Sequence, residues 1–318
     1  MEAIALIALT TALYVAWAIG SNNESMAPLA GCGFLSLRWS LLLGAVTSLM
    51  GALLLGGRVE ETMGSRLIRG GVSLIDAVIV MGILATSMAI ASISRKPISS
   101  THSAVGAIIG LGLLKGGLNG VDWRTLTIIA AGWFLFPILS LLLAASLTKL
   151  LKAVLRRRVR GLRDRIRVAQ AFCIALIPLV SIISLSRGGN DVANATALLS
   201  ALEGLNPLHM RLLGGVGMAL GLLILGGGVV RAVGLNLIQL RPETALAAQM
   251  SVALTLLSGT LLGLPLSGTH IQIASLIGLG LAERKWINVK ALLEIFYSWI
   301  LIFAAAGGAA AFLSAFIY

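Results

Sequence analysis

Charge is scarce in this chain. Asp, Glu, Lys and Arg make up 11% of its 318 residues, against roughly 25% in soluble globular domains. Hydrophobic residues make up 58%, and the mean hydropathy is +0.99. A soluble domain is thereby excluded, and a polytopic membrane protein remains. Most apolar runs reach the ~20 residues that a helix needs to cross a bilayer. They do not alternate with period two, which excludes a β-barrel and leaves helices. Cysteine is scarce too. Cys32 and Cys173 make neither a disulfide framework nor a metal-ligand pattern. No G-x-x-x-x-G-K-[ST] loop is present, so ATP-driven transport by this chain is not expected. The first apolar run, Ala3 to Ile19, has no basic stretch before it, and the chain stays hydrophobic after it. It reads as a first membrane helix and not as a cleaved signal peptide.

Acidic residues are outnumbered 12 to 24 by basic ones, for a net charge of +12. Nucleic acid is not the expected partner, because the basic residues are concentrated at one place. Nine of them lie between Lys149 and Arg167. The positive-inside rule makes 149–167 a cytoplasmic linker in a multi-pass protein of the cell membrane. Its partner would be the anionic headgroup surface, or it is a topology signal with no binding role, the reading preferred here.

Candidate membrane segments are 3–19, 40–57, 71–93, 97–118, 125–151, 168–186, 192–204, 211–231, 243–264, 265–281 and 291–317. Trp39, Trp123 and Trp286 each sit beside a basic residue, as interface anchors do. Trp17, Trp133 and Trp299 fall within runs and read as packing residues.

Two polar motifs recur at one offset. Gly20-Ser-Asn-Asn23 precedes Gly188-Gly-Asn-Asp191 by 168 residues. Pro97-Ile-Ser-Ser-Thr-His102 precedes Pro265-Leu-Ser-Gly-Thr-His270 by the same 168. Between them Gly44, Gly51, Gly56, Gly57 and Gly64 match Gly214, Gly221, Gly226, Gly227 and Gly234 at 170. The chain therefore reads as a first transmembrane repeat, 1–150, a basic linker, 151–167, and a second repeat, 168–318. The fold class is all-α, with two homologous repeats, broken helices and re-entrant hairpins. Helix parity leaves inverted and parallel repeats open, and secondary-transporter precedent favours inversion.

The stretch Ser186-Arg-Gly-Gly-Asn-Asp-Val-Ala-Asn-Ala195 is the polar centre. A carboxylate at membrane depth marks an ion or substrate path. Gly188 and Gly189 predict a helix break, whose freed carbonyls would join Asn and Asp oxygens in a hard-cation site. The plainer reading is an interfacial loop with an N-cap at Asp191. In the second motif, Ser99, Ser100 and Thr101, and Ser267, Gly268 and Thr269, stand where helix N-termini should be. Free N–H groups, hydroxyls and the helix dipole there suit an oxyanion. Taken singly, they would be N-caps with no ligand. His102 and His270 are possible proton or ligand donors, or buried neutral rings bonding the opposite hairpin. They form no metal site.

At these residues the chain resembles the inorganic phosphate transporter (PiT) family of sodium- or proton-coupled symporters. That family is marked by a repeated G-x-N-D-x-A-N-A stretch with P-x-S-T-T-H following in each half. Gly188 to Ala195 matches the first, and Pro97 to His102 the second with Ser100 for Thr. Val121-Asp-Trp123 and Trp133 also look like the family. The resemblance implies two inverted repeats and a homodimer that moves phosphate with cations. Departures are Asn23 for the family's Asp, Met26 for its Asn and Gly268 for its central Thr. Glu24, adjacent to Asn23, is expected to point elsewhere. The departures put the number of coupling cations in question and leave room for sulfate.

The expected function is import of inorganic phosphate by symport with sodium or protons, by alternating access around a midplane site. Asp191, Asn190 and Asn194 would bind one cation, with Asn22 and Asn23 a weaker or second site. The phosphate ligands would be Ser99, Ser100, Thr101, Ser267, Gly268 and Thr269, with Asn22 and Asn190. No cofactor is expected beyond the transported ions. A sulfate permease of the same fold is one alternative, and a passive anion channel another, which Asp191 would disfavour. An intramembrane phosphotransferase using Asp191 with a His is a third, and it lacks any metal or nucleotide motif. Asp76 and Glu294 could line the cavity or pair with Arg or Lys. Glu203 could end the helix after the motif. Arg187, next to Gly188, could guide the anion but reads rather as a snorkelling interface residue, and Glu60, Glu61, Asp122, Asp164, Glu243 and Glu283 read as loop residues.

Overall fold

A computed structural model describes residues 2–31, 33, 35–94, 99–159, 161–231, 242–284 and 289–318. Cys32, Pro97, Arg160, Gly234 and Trp286, and the side chain of Glu294, lie outside these residues. The described residues are helical and contain no strand beyond one isolated bridge. In order the helices are α1 (Glu2–Ser21), α2 (Ala27–Gly31), α3 (Leu37–Glu61), α4 (Leu74–Ser94), α5 (Ser100–Gly116) and α6 (Trp123–Arg158). After them come α7 (Leu162–Ser200), α8 (Pro207–Ile224), α9 (Gly226–Arg231), α10 (Pro242–Leu261), α11 (Gly268–Glu283) and α12 (Val289–Ser314). Seven of the described helices are long and apolar enough to cross a membrane. The chain is a multi-pass membrane protein. Large apolar side chains on α6 and α12, such as Phe134, Leu135, Ile300 and Leu301, are exposed, as lipid-facing residues are.

The long helices pack across the sequence. α1 lies against α8, and α3 against α7. α5 lies against α12, and α11 against α6. Each pair is the other's counterpart 166–170 residues on. Glycines set the approach. A Cβ on Gly20 would overlap the Met218 carbonyl, and one on Gly188 the Ser48 carbonyl. Gly221 meets the Trp17 carbonyl as Gly51 meets that of Leu185. Backbones this close need small residues on one side.

α4 and α5 form a helical hairpin. Its base is closed by the Ile68–Val121 bridge, with Arg69 N–H donating to the Gly120 carbonyl at 2.9 Å and Asp122 N–H to that of Leu67 at 3.0 Å. The Arg69–Asp122 ion pair lies at the same place, at 3.1 Å. Lys115 reaches Asp76 at 2.7 Å. α10 and α11 form a second hairpin, turning at 262–267 with Gly263 at φ +73°.

Three expectations are corrected here. The glycines at 188–189 do not break the chain, because α7 is continuous from Leu162 to Ser200. Segments 168–186 and 192–204 are therefore one helix. Gly188 and Gly189 serve as a contact face for α3, where Ser48 and Leu55 leave no room for a Cβ. Only the first copy of the motif is broken, between α1 and α2. The basic linker is largely helical: its residues end α6 at Arg158 and begin α7 at Leu162. The segment 211–231 is two helices, α8 and α9, interrupted at Leu225.

Candidate functional site

The tips of both hairpins face one small polar cavity. Ser99 caps α5, with its side chain accepting from His102 N–H, and φ, ψ of −85°, 113°. Ser267 caps α11 in the same way, accepting from His270 N–H, with −88°, 109°. Two helix N-termini from distant parts of the chain thus adopt one geometry. The cavity is lined by Asn22, Ser99, Ser100, Thr101, Arg187, Asp191, Ser267, Gly268 and Thr269, with Ile19 and Met88. It holds hydroxyls, free helix N–H groups, one guanidinium and one carboxylate. That donor-rich set suits a tetrahedral oxyanion, and the carboxylate adds a place for a cation.

The remaining residues singled out from the sequence stand around this wall. Asn190 is not part of it. Its amide oxygen accepts from Leu266 N–H at 3.1 Å, and its nitrogen donates to the Leu264 carbonyl at 2.8 Å. Both ends hold the turn before α11, so Asn190 positions the cap of that helix. Asn194 reaches toward the first hairpin. Its Nδ2 donates to Ser100 Oγ at 3.2 Å and Thr101 Oγ1 at 3.3 Å. Its Oδ1 is buried with no hydrogen-bond partner among the described residues. Thr101 Oγ1 in turn donates to the Leu266 carbonyl at 3.2 Å, tying the two tips together. Asn23 is buried. Its Oδ1 accepts from Ser25 N–H at 3.0 Å, and its Nδ2 has no hydrogen-bond partner among the described residues.

His102 and His270 do not line the cavity. They are the middle of a four-ring column, Trp133, His102, His270, Trp299. Successive ring centroids are 3.8, 4.5 and 3.2 Å apart. His102 Nδ1 lies 2.9 Å from Ser99 Oγ, and Trp133 Nε1 donates to the Pro265 carbonyl at 2.8 Å. The column joins the hairpins behind their caps.

Readings of charged residues are corrected by the geometry: Glu61, Asp164 and Glu243 lie on α3, α7 and α10 and not in loops, and four others change more. Arg187 is no snorkelling interface residue, since its side chain is 11% exposed and faces the cavity. Its Nη1 lies 2.8 Å from Glu24 Oε1, and its Nε 3.2 Å from Asp191 Oδ2. Glu24 does not point away from the site. The break between α1 and α2 turns it back toward α7, an outcome that helical spacing could not anticipate. Glu60 is not a loop residue. It is buried on α3, accepts from Thr196 Oγ1 and pairs with Arg211 at 3.1 Å. Glu283 ends α11 and pairs with Lys152 on α6 at 2.6 Å.

Among the described residues no group of His, Cys, Asp and Glu is arranged as a metal site. The profile of the phosphate transporter family matches residues 19–310. A candidate phosphate permease of Chlamydia pneumoniae is 26% identical, over 96% of both chains. One of Pyrococcus furiosus is 26% identical, over 96% of this chain and 94% of its own. A solved structure, "The sodium-dependent phosphate transporter", superposes with a TM-score of 0.87, covers 99% of each chain and is 24% identical. Its likeness establishes the fold. A match over residues 19–310, a fold shared end to end and the two capped hairpins meeting at one polar cavity agree: the chain is a transporter and not an enzyme, and it belongs to the phosphate transporter family.

Proposed function

We propose that this protein imports orthophosphate by symport with a monovalent cation, sodium or the proton, through alternating access around the cavity between the hairpin tips. One observation carries the reading. The N-termini of α5 and α11, capped alike by Ser99 and Ser267, meet at one cavity that also holds the Asp191 carboxylate. Ser99, Ser100, Thr101, Ser267, Gly268, Thr269 and Asn22 would surround the anion. Asp191 and the unpartnered Asn194 Oδ1 would hold a cation, with Asn22 and Asn23 as a second, weaker site. Charge supplies the coupling. A phosphate dianion is costly in a low-dielectric cavity unless cations enter with it, so each ion raises the other's affinity. The cross-packed pairs α1–α8 and α3–α7 support two inverted repeats that rock about the site. The basic ends of α6 and α7 would face the cytoplasm across the cell membrane. Two such chains would form a homodimer, as the family resemblance implies.

A passive anion channel would use the same donors, yet Asp191 in its wall would repel the ion. Protein reconstituted in liposomes separates these readings. Labelled phosphate uptake is followed with an inward sodium gradient, a proton gradient or neither, and with sulfate as competitor. Gradient-driven phosphate uptake that Asp191→Asn abolishes is expected. Flux that ignores both gradients and survives the substitution would leave a channel. Sulfate uptake without phosphate uptake would keep the fold and change the cargo.

A further inference from the structure

Arg187 is a buried cation that no role assigned so far requires. It lies one helical turn before Asp191 on α7 and is held between two carboxylates, Glu24 at 2.8 Å and Asp191 at 3.2 Å. Glu24 and Asp191 are themselves 17% and 5% exposed. A buried charge is tolerated when it is paired, and removing one partner leaves the other uncompensated. The triad of one cation and two anions carries a net charge of −1 when all three are ionised. Arg187 also lies against the first residue of α11. A Cβ on Gly268 would come within 3.0 Å of its Nε and 3.3 Å of its Cζ. A Thr there, as in the family, would require the guanidinium to give by a few tenths of an ångström. Gly268, a departure from the family pattern, leaves Arg187 that room. Asn23, where the family has Asp, is a second departure beside the same triad. Both changes go with a fixed positive charge at the site.

We infer that Arg187 is a resident counter-cation. It does electrically what a second co-transported cation would otherwise do, so this transporter moves phosphate with one coupling cation fewer than a site holding Glu24 and Asp191 without it. A guanidinium has five N–H donors and binds oxyanions in a fork. The pairs with Glu24 and Asp191 use two of its directions, so the same group can also touch the anion. With one mobile cation the triad is neutral. Without Arg187, two would be needed. The inference rests on the symport reading above.

The test uses the full chain in liposomes, with uptake of labelled phosphate measured against sodium concentration. Wild type is expected to show a sodium slope near one. Arg187→Gln is expected to raise the slope toward two, because a second sodium must take the place of the guanidinium between Glu24 and Asp191. High sodium should then restore uptake. Glu24→Gln with Arg187→Gln returns the net charge to −1, so the slope should fall back to one. Glu24→Gln alone should make sodium nearly dispensable. If protons drive uptake, the same slopes are read against proton concentration. An unchanged slope in Arg187→Gln, or a loss that no sodium concentration repairs in folded protein, overturns the inference while phosphate symport stands. If wild type moves no phosphate under any gradient, the transport reading falls by itself. Arg187 is then judged by sodium-dependent thermal stabilisation of the purified protein without phosphate. Arg187→Gln should gain stabilisation relative to wild type and Glu24→Gln should lose it, and no difference overturns the inference. Should Arg187→Gln fail to fold, Glu24→Gln decides by either readout.

Discussion

His102 and His270 face each other with ring centroids 4.5 Å apart, each the third residue of a capped helix and each backed by a tryptophan. The column they form holds the two hairpin tips at a fixed spacing, and the cavity in front depends on that spacing. His270→Ala removes the ring stacked on Trp299 and opens a buried void. Such truncations cost about 2–4 kcal/mol. Thermal unfolding in detergent should show the loss, with phosphate affinity reduced alongside. His270→Phe keeps the stack and removes the Nε2 that has no hydrogen-bond partner among the described residues. It should retain most stability. Equal damage from Phe and Ala would mean that the ring nitrogens, not the stack, matter.

Asn190 grips Leu264 and Leu266 by opposite ends of its amide. Asn190→Ala leaves a buried carbonyl and a buried N–H unmatched, at roughly 1–3 kcal/mol. Asn190→Asp is expected to be worse, because it sets a carboxylate against the Leu264 carbonyl. Hydrogen exchange at 262–267 should speed up in both. Exchange left at the wild-type rate would remove the clamp role.

Ser99 and Ser267 are N-caps by geometry and candidate anion ligands by position. Loss of a cap costs about 1 kcal/mol. Ser99→Ala and Ser267→Ala should each lower stability by that amount and raise the KM for phosphate. Asn206→Ala removes a cap of α8 outside the cavity lining, where Asn206 Oδ1 accepts from Leu208 N–H at 2.9 Å. It should lower stability with no change in KM. A KM that moves equally in all three would reduce the serines to caps.

Glycine substitutions should divide by contact. Gly188→Ala drives a methyl group into the Ser48 carbonyl, and overpacking of this kind costs roughly 1–3 kcal/mol. Gly82→Ala on α4 meets nothing within 4 Å. A helical Gly→Ala with open space is stabilising by roughly 0.5–1 kcal/mol. Thermal unfolding of the two variants should move in opposite directions.

Gly268→Thr restores the family's residue and places its Cβ within 3.0 Å of Arg187 Nε. Uptake should fall in the wild-type background. It should recover in part when Arg187 is shortened to Gln in the same chain. A neutral Gly268→Thr would show that the guanidinium has room to move aside.

The sequence by itself determined the class, the helical content and both polar motifs. Low charge and long apolar runs leave only one solvent for this chain, and a carboxylate such as Asp191 is expensive there unless it works. The 168-residue offset marks Ser99 and Ser267 as equivalent, because a cap needs only local chemistry: a break, a hydroxyl and a free N–H three residues on. Only the tertiary structure decided which polar groups meet. Gly188 and Gly189 looked like a helix break, but whether a glycine bends a helix or admits a neighbour depends on what packs against it, and here that is α3. That Asn190 grips the turn at 262–267 by both ends of its amide is set by the fold and not by any local pattern. Glu24 and Arg187 are 163 residues apart, and no local pattern joins them. Their pairing follows from the cost of burying either charge alone, which is felt only once the fold has closed around both.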